Sequence, residues 1–193
     1  MYNQKSLVKA LQTRTNALMM IGRFADFKTR KMIANGIWNS KLCYCLSVFG
    51  STEGHLLTAL QRMQNCVAKV VCRKGRRYSP RKALKEIGWL PVMSLVKYHS
   101  LVQAKKVLEC KKPEYLHEKL VGGRDRPSYA TRLCIGGNLR SGPGMKANLN
   151  LTKQSWRWRV RYMWEEVPIL VRSIQGSLNK FKAELRKWLW SLL

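Results

Sequence analysis

HLLTALQRMQNCVAKVVCR, residues 55–73, carries Leu56, Leu60, Met63, Val67, Val70 and Val71 in alternating steps of four and three. That is the period of an α-helix, and it lays down an apolar stripe roughly 100° wide. Opposite it lie His55, Arg62, Lys69 and Arg73, a second stripe that is basic. The segment predicts a helix with one face for a core and another for an anion.

Directly downstream, RKGRRYSPRKALK (73–85) places seven positive charges in 13 residues with no acid. Ser79-Pro80 supplies an N-cap followed by proline at the first helical position, so a short helix should run to Ile87 and stop at Gly88. Upstream, Leu7, Ala10, Leu11, Leu18 and Ile21 predict a helix over 4–22, closed by Gly22. Asp26 can cap a second helix reaching about Phe49. On it Phe27, Ala34, Trp38, Leu42 and Cys45 share one side, while Ile33, Ile37, Tyr44 and Val48 widen the apolar arc toward that of a mostly buried helix. Gly50 to Gly54 reads as a turn.

Pro91 opens a helix to about Cys110 with Val92, Leu95, Val96, His99 and Val102 on one face, and Pro113 starts a short one to Leu120. From Val121 to Asn150 the helical period is lost. Six of the 13 glycines fall there with Pro127 and Pro143, which predicts a loop, with TRLCI and NLR as hairpin strands around Gly136-Gly137. In SWRWRVRYMW (155–164) the alternation of Trp156, Trp158, Val160 and Tyr162 with Arg157, Arg159 and Arg161 has a strand period, so a short strand turning into helix is expected before Pro168. Leu178, Phe181, Leu185, Trp188, Leu189 and Leu192 then share one face of a C-terminal amphipathic helix. The fold class expected is mainly α. A helical domain spans 1–120, a Gly/Pro-rich connection 121–154, and an extension 155–193 packs back on the bundle.

The 193 residues hold 37 Lys and Arg against 10 Asp and Glu, a formal charge of +27. Such an excess repels itself in the compact state and calls for a polyanionic partner, nucleic acid first and an anionic membrane second. The 46% apolar content and seven tryptophans argue against a disordered or collagenous chain. No apolar run approaches the ~18 residues of a membrane span, and the N-terminus lacks a signal-peptide core, although its basic, acid-poor character also fits a mitochondrial presequence. The six cysteines, at 43, 45, 66, 72, 110 and 134, show no C-x-x-C spacing and read as reduced, mostly buried thiols of a cytosolic or nuclear protein. His99 reads as a core histidine, His55 and His117 as surface residues. No metal cluster, nucleophile–base pair or phosphate-cradling glycine loop stands out, so no cofactor and no catalytic residue is assigned.

Eight motifs, taken in order, resemble the region after the palm in non-LTR (LINE-type) retrotransposon reverse transcriptases. They are FKTRKMIANGIWNSKLCY (27–44), LLTALQRMQN (56–65), SPRKALKEIGWLPV (79–92), LVKYHSL (95–101), KKPEYLHEKL (111–120), SWRWR (155–159), the step from Trp164 to Pro168, and SLNKFKAELRKWL (177–189). Members of that family often carry Asn after the tryptophan, where this chain has Glu165. The resemblance covers nearly the whole chain from about Leu11. It implies a helical thumb and C-terminal extension beside a primer–template duplex, with palm and fingers supplied by a parent protein.

The family's palm needs clustered acids to hold two Mg²⁺ ions. This chain has only Asp26 and Asp125 as aspartates. Phe24-Ala25-Asp26-Phe27 is superficially similar to the family's Phe-Ala-Asp-Asp, but the second acid is missing and Asp26 reads as a helix cap. The expectation is a binding fragment with no catalysis of its own, nuclear or cytoplasmic, on RNA, hybrid or DNA duplex. Its phosphate contacts would be Arg62, Lys69, Arg73, Lys74, Arg76, Arg77, Arg81 and Lys82. The same basic run also fits a nuclear localisation signal or a solvated loop. Trp156, Trp158, Arg157 and Arg159 offer planes for stacking bases, or are core tryptophans with solvated arginines. The competing reading of the whole chain is a basic helical module that docks on an acidic protein or an anionic membrane.

Overall fold

The structure is a computed structural model that describes residues 4–44, 46, 54–121, 156–174 and 176–193. It is mainly α-helical, and none of the described residues lies in a strand. The TRLCI/NLR hairpin, the 121–150 loop beyond Val121 and the start of the Gly50–Gly54 turn lie outside the described residues. The chain forms two compact units, Met1–Val96 and Lys97–Leu193. The division falls at 96/97, within the long helix that opens at Val92.

In the first unit, α1 (Gln4–Ile21) ends one residue before Gly22. A Cβ on Gly22 would lie 2.8 Å from the Leu18 carbonyl oxygen and 3.2 Å from a Val70 methyl. Glycine is therefore what lets the end of α1 approach the helix that carries Val70. Asp26 caps α2 (Phe27–Ile33) by accepting from the backbone N–H groups of Lys28 and Thr29 at 3.1 and 3.3 Å. The helix then widens into a π turn (Ala34–Asn39) before α3 (Ser40–Cys43). α3 ends at Tyr44, whose backbone is extended (ψ 117°); Leu46 is again helical, and the rest of the helix expected to reach Phe49 lies outside the described residues. Ala34, Trp38 and Leu42 are buried, but Phe27, Ile37 and Tyr44 are exposed, so this helix is buried on one side only.

The widened turn aims Trp38 inward. It has no exposed surface, stacks on Trp89 with ring centroids 5.8 Å apart and planes 13° from parallel, and donates its Nε1–H to Thr15 at 3.0 Å. Trp89 donates in turn to Asn35 at 2.7 Å. Both indole N–H groups are thus satisfied, which an interior tryptophan requires.

The segment read first forms α4 (Gly54–Val71). Its buried face comprises Leu56, Leu57, Leu60, Val67, Ala68 and Val71, and it includes Gln64. Gln64 donates to the Leu90 carbonyl at 2.9 Å, and Gln61 accepts from the Val92 N–H at 2.8 Å. Two glutamines therefore tie α4 to the start of the next long helix, and Gln61 satisfies one of that helix's orphan N–H groups. α5 (Pro80–Ile87) begins after Ser79 with proline in its first turn and stops at Gly88, whose φ of 79° is left-handed. It buries Ala83, Leu84 and Ile87.

α6 (Val92–Cys110) has its first turn in the first unit and the rest in the second. The second unit adds α7 (Glu114–Val121), α8 (Trp156–Glu166), α9 (Ile169–Arg172) and α10 (Leu178–Ser191). The strand expected over the Trp/Arg alternation is instead the first turns of α8. An i, i+4 set (Trp156, Val160, Trp164) overrides the period of two, with Val160 and Trp164 buried. Trp164 packs on Phe181 of α10, centroids 6.1 Å apart, and Leu185 and Leu189 continue that buried face. Leu192, expected on the same face, is 59% exposed because the helix ends beside it.

Lys105, on the same side of α6, is almost fully buried. Its Nζ lies 3.3 Å from Glu109, reaches the Arg172 carbonyl at 3.3 Å and sits 5.5 Å from the Phe181 ring centre. His99 is half-buried and meets Tyr98 edge-on at 5.5 Å; burial lowers its pKa, in keeping with a neutral core histidine.

Candidate nucleic-acid interface

α4 and α5 position the basic run between them. At its start the chain leaves α4 in a left-handed cap: Lys74 N–H bonds the Lys69 carbonyl at 2.9 Å, and Arg73 has φ 50°. A lysine and two arginines near this turn bind carbonyls of the protein itself. Arg73 donates to the carbonyls of Arg23 and Ala25 at 2.8 and 3.2 Å. Arg30, almost fully buried, donates to the Val71 carbonyl at 2.7 Å and to that of Ala25. Lys69 is half-buried and donates to the Arg76 carbonyl at 2.7 Å.

Arg30 closes the last carbonyl of α4, where positive charge also complements the helix dipole, while Arg73 and Lys69 bind carbonyls of the turns that follow α1 and α4. Arg73 and Lys69 therefore have structural duties that the helix-wheel argument did not foresee. Arg30 was missed altogether, since nothing in its neighbours distinguishes it from Lys28 or Lys31.

The other expected contacts stand in solvent. Arg62, Lys74, Arg76, Arg77, Arg81 and Lys82 are all exposed. Lys74 lies 5.1 Å from the Tyr78 ring centre, a cation–π contact that orders the turn without neutralising the charge. No carboxylate occurs between Glu53 and Glu86. Glu86 accepts from the Tyr78 hydroxyl, a hydrogen bond that lowers the carboxyl's pKa and raises the phenol's. Exposed cations thus follow one another from the end of α4 to the first turn of α5, with the Glu86 carboxylate held at Tyr78 beside Lys74.

Cys72 is half-buried, and burial together with Glu86 pushes its pKa up to about 11. Cys43 and Cys66 are likewise half-buried and in no disulfide, and Cys110 is exposed, so the expectation of mostly buried thiols was too strong for the four described. Asp26 accepts hydrogen bonds from the first turn of α2, chiefly through Thr29, and these lower its pKa. Among the described residues no group of three His, Cys, Asp or Glu is placed to hold a metal ion, and no helix is long and apolar enough to cross a membrane.

The Trp/Arg segment belongs to the second unit. Trp156 and Arg159 are half-buried at the start of α8, and burial lowers the Arg159 pKa. Arg161 is buried. This pattern favours tryptophans and arginines within the fold over an open stacking platform; the side chains of Arg157 and Trp158 lie outside the described ones. Comparison with protein-family models, with curated proteins and with solved structures gave no match.

Proposed function

We propose that this chain is a nucleic-acid-binding thumb and C-terminal fragment of a non-LTR retrotransposon reverse transcriptase, without the catalytic palm and with no catalysis of its own. The observation that carries the binding role is the set of exposed cations Lys74, Arg76, Arg77, Arg81 and Lys82, extended by Arg62, with Glu86 at Tyr78 as an acid on its border. These side chains are held on two helices and a capped turn, so their charges are presented at little further ordering cost. Contacts of this kind neutralise phosphates and release counterions. They give affinity that depends on salt and hardly on sequence.

The family assignment is supported by the order of the eight motifs and by the helical fold in which the described ones sit. Within a parent protein, palm and fingers domains would be the intramolecular partner, and an RNA, RNA–DNA or DNA duplex the ligand, in nucleus or cytoplasm. Two experiments test the two parts. Mobility shifts on a duplex, set against sedimentation with anionic vesicles, should show salt-sensitive duplex binding and indifference to lipid. The reverse result would favour the membrane-docking module. Sequencing the DNA upstream of Met1 should reveal a palm-coding frame, and an unrelated upstream sequence would count against the origin.

A further inference from the structure

Beside its core face, α10 presents Lys182, Arg186 and Trp190 at four-residue intervals, with Ala183 and Lys187 on the adjoining row. With Tyr98 of α6 these residues line an open groove of about 370 Å³, within the size range of small-ligand sites. The groove exists because residue 183 is an alanine whose methyl fills little of the space. Two aromatic rings and the cations Lys182, Arg186 and Lys187 border it, the last paired with Glu184 at 2.7 Å. Burial raises the Tyr98 pKa, and the Arg186 charge opposes that rise. Successive members of the Lys182–Arg186–Trp190 row rise by about 6 Å along the helix, roughly the length of a nucleotide from phosphate to base.

We infer that this groove binds one unstacked nucleotide of a single strand, with its phosphate against Lys182 and Arg186 and its base against Trp190 and Tyr98. An acidic peptide would engage the cations but leave both rings without a planar partner, whereas a nucleotide matches both chemistries. The inference rests on the reading of the chain as a nucleic-acid binder and adds a single-strand site to the duplex surface of residues 74–82.

The test is fluorescence anisotropy of the full chain with labelled oligothymidylate and, separately, with a blunt duplex. Ala183→Leu fills the groove from an exposed position on a helix, with a residue that favours helix. Lys182→Gln with Arg186→Gln removes the charge while keeping the volume. Each variant should lower oligothymidylate affinity by about tenfold or more, the loss expected for one stacked base, while duplex affinity under Ala183→Leu stays within twofold. Unchanged oligothymidylate binding in both variants overturns the groove while leaving the duplex surface standing. Equal losses on both ligands, or a loss confined to phosphatidylserine vesicles, also overturns it. Failure of the wild-type chain to bind either nucleic acid removes the proposed function and the groove together.

Discussion

Arg73 donates to the carbonyl of Arg23 at 2.8 Å across fifty residues of chain, joining the end of α4 to the turn between α1 and α2. Arg30 makes the reciprocal link, from α2 back to the Val71 carbonyl. The basic excess therefore divides into a few arginines that hold the first unit together and a larger set turned to solvent. The two groups should respond oppositely to mutation.

Arg30→Ala leaves the Val71 carbonyl without its donor in a buried setting and removes one of the two arginines on the Ala25 carbonyl. It should cost about 2–3 kcal/mol of unfolding free energy, read as a lower urea midpoint with an unchanged slope. Arg76→Ala with Arg77→Ala should shift the midpoint by less than about 0.5 kcal/mol. Equal losses in both would contradict the division.

Gly88 stands at φ 79° with open space around it, so a methyl group there meets only backbone strain. Gly88→Ala should destabilise by about 1–2 kcal/mol. Gly88→Asn should recover part of that, because asparagine tolerates the left-handed region. Thermal melts of the two variants check the order.

Thiol labelling should follow burial and charge. Cys110 is exposed, whereas Cys72 has its pKa raised to about 11. Among the four described cysteines, a thiolate-directed reagent at neutral pH should modify Cys110 first and Cys72 last, as read by peptide mass mapping. Early labelling of Cys72 would mean that α4 and α5 open readily.

Asp26 and Glu86 both titrate below their ordinary values of 3.8 and 4.5. A carboxyl with a depressed folded pKa stabilises the fold fully above its unfolded value and loses that contribution as pH falls through the folded one. The contribution of these two carboxyls should therefore be level on the basic side of about pH 5 and decline below it. Asp26→Asn, which keeps a capping oxygen, should flatten the part of the decline due to Asp26. NMR titration of the two carboxyls checks both directions.

Much of this was legible in the sequence, because local signals and tertiary packing agree. Ser79-Pro80 and Gly88 delimit α5, Asp26 caps α2, and the four-three step fixes α4. Legibility failed where long-range contacts decide. The alternation at 156–162 has a strand period, yet Trp156, Val160 and Trp164 also share a helix face, and burial of Val160 and Trp164 within the second unit selects the helix. Gln64 looks like a polar interruption until the Leu90 carbonyl is placed against it. Helix-wheel position put Arg73 among the exposed cations, but it could not show that carbonyls 48 and 50 residues away would claim its guanidinium. The groove at Tyr98 depends on a residue some eighty positions before α10, so no local pattern announces it.

The central claim is that the cations of residues 62–82 contact phosphates, and the salt dependence of duplex binding tests it most directly. With four to six contacts, log K should fall against log salt with a slope of about −3.5 to −5.5. Changing Arg76, Arg77 and Arg81 together to Ala, with Arg73 retained to hold the fold, should weaken binding and flatten that slope by about two to three units, with helix content unchanged by circular dichroism. A folded triple variant whose affinity and slope both match the wild-type chain would contradict the account.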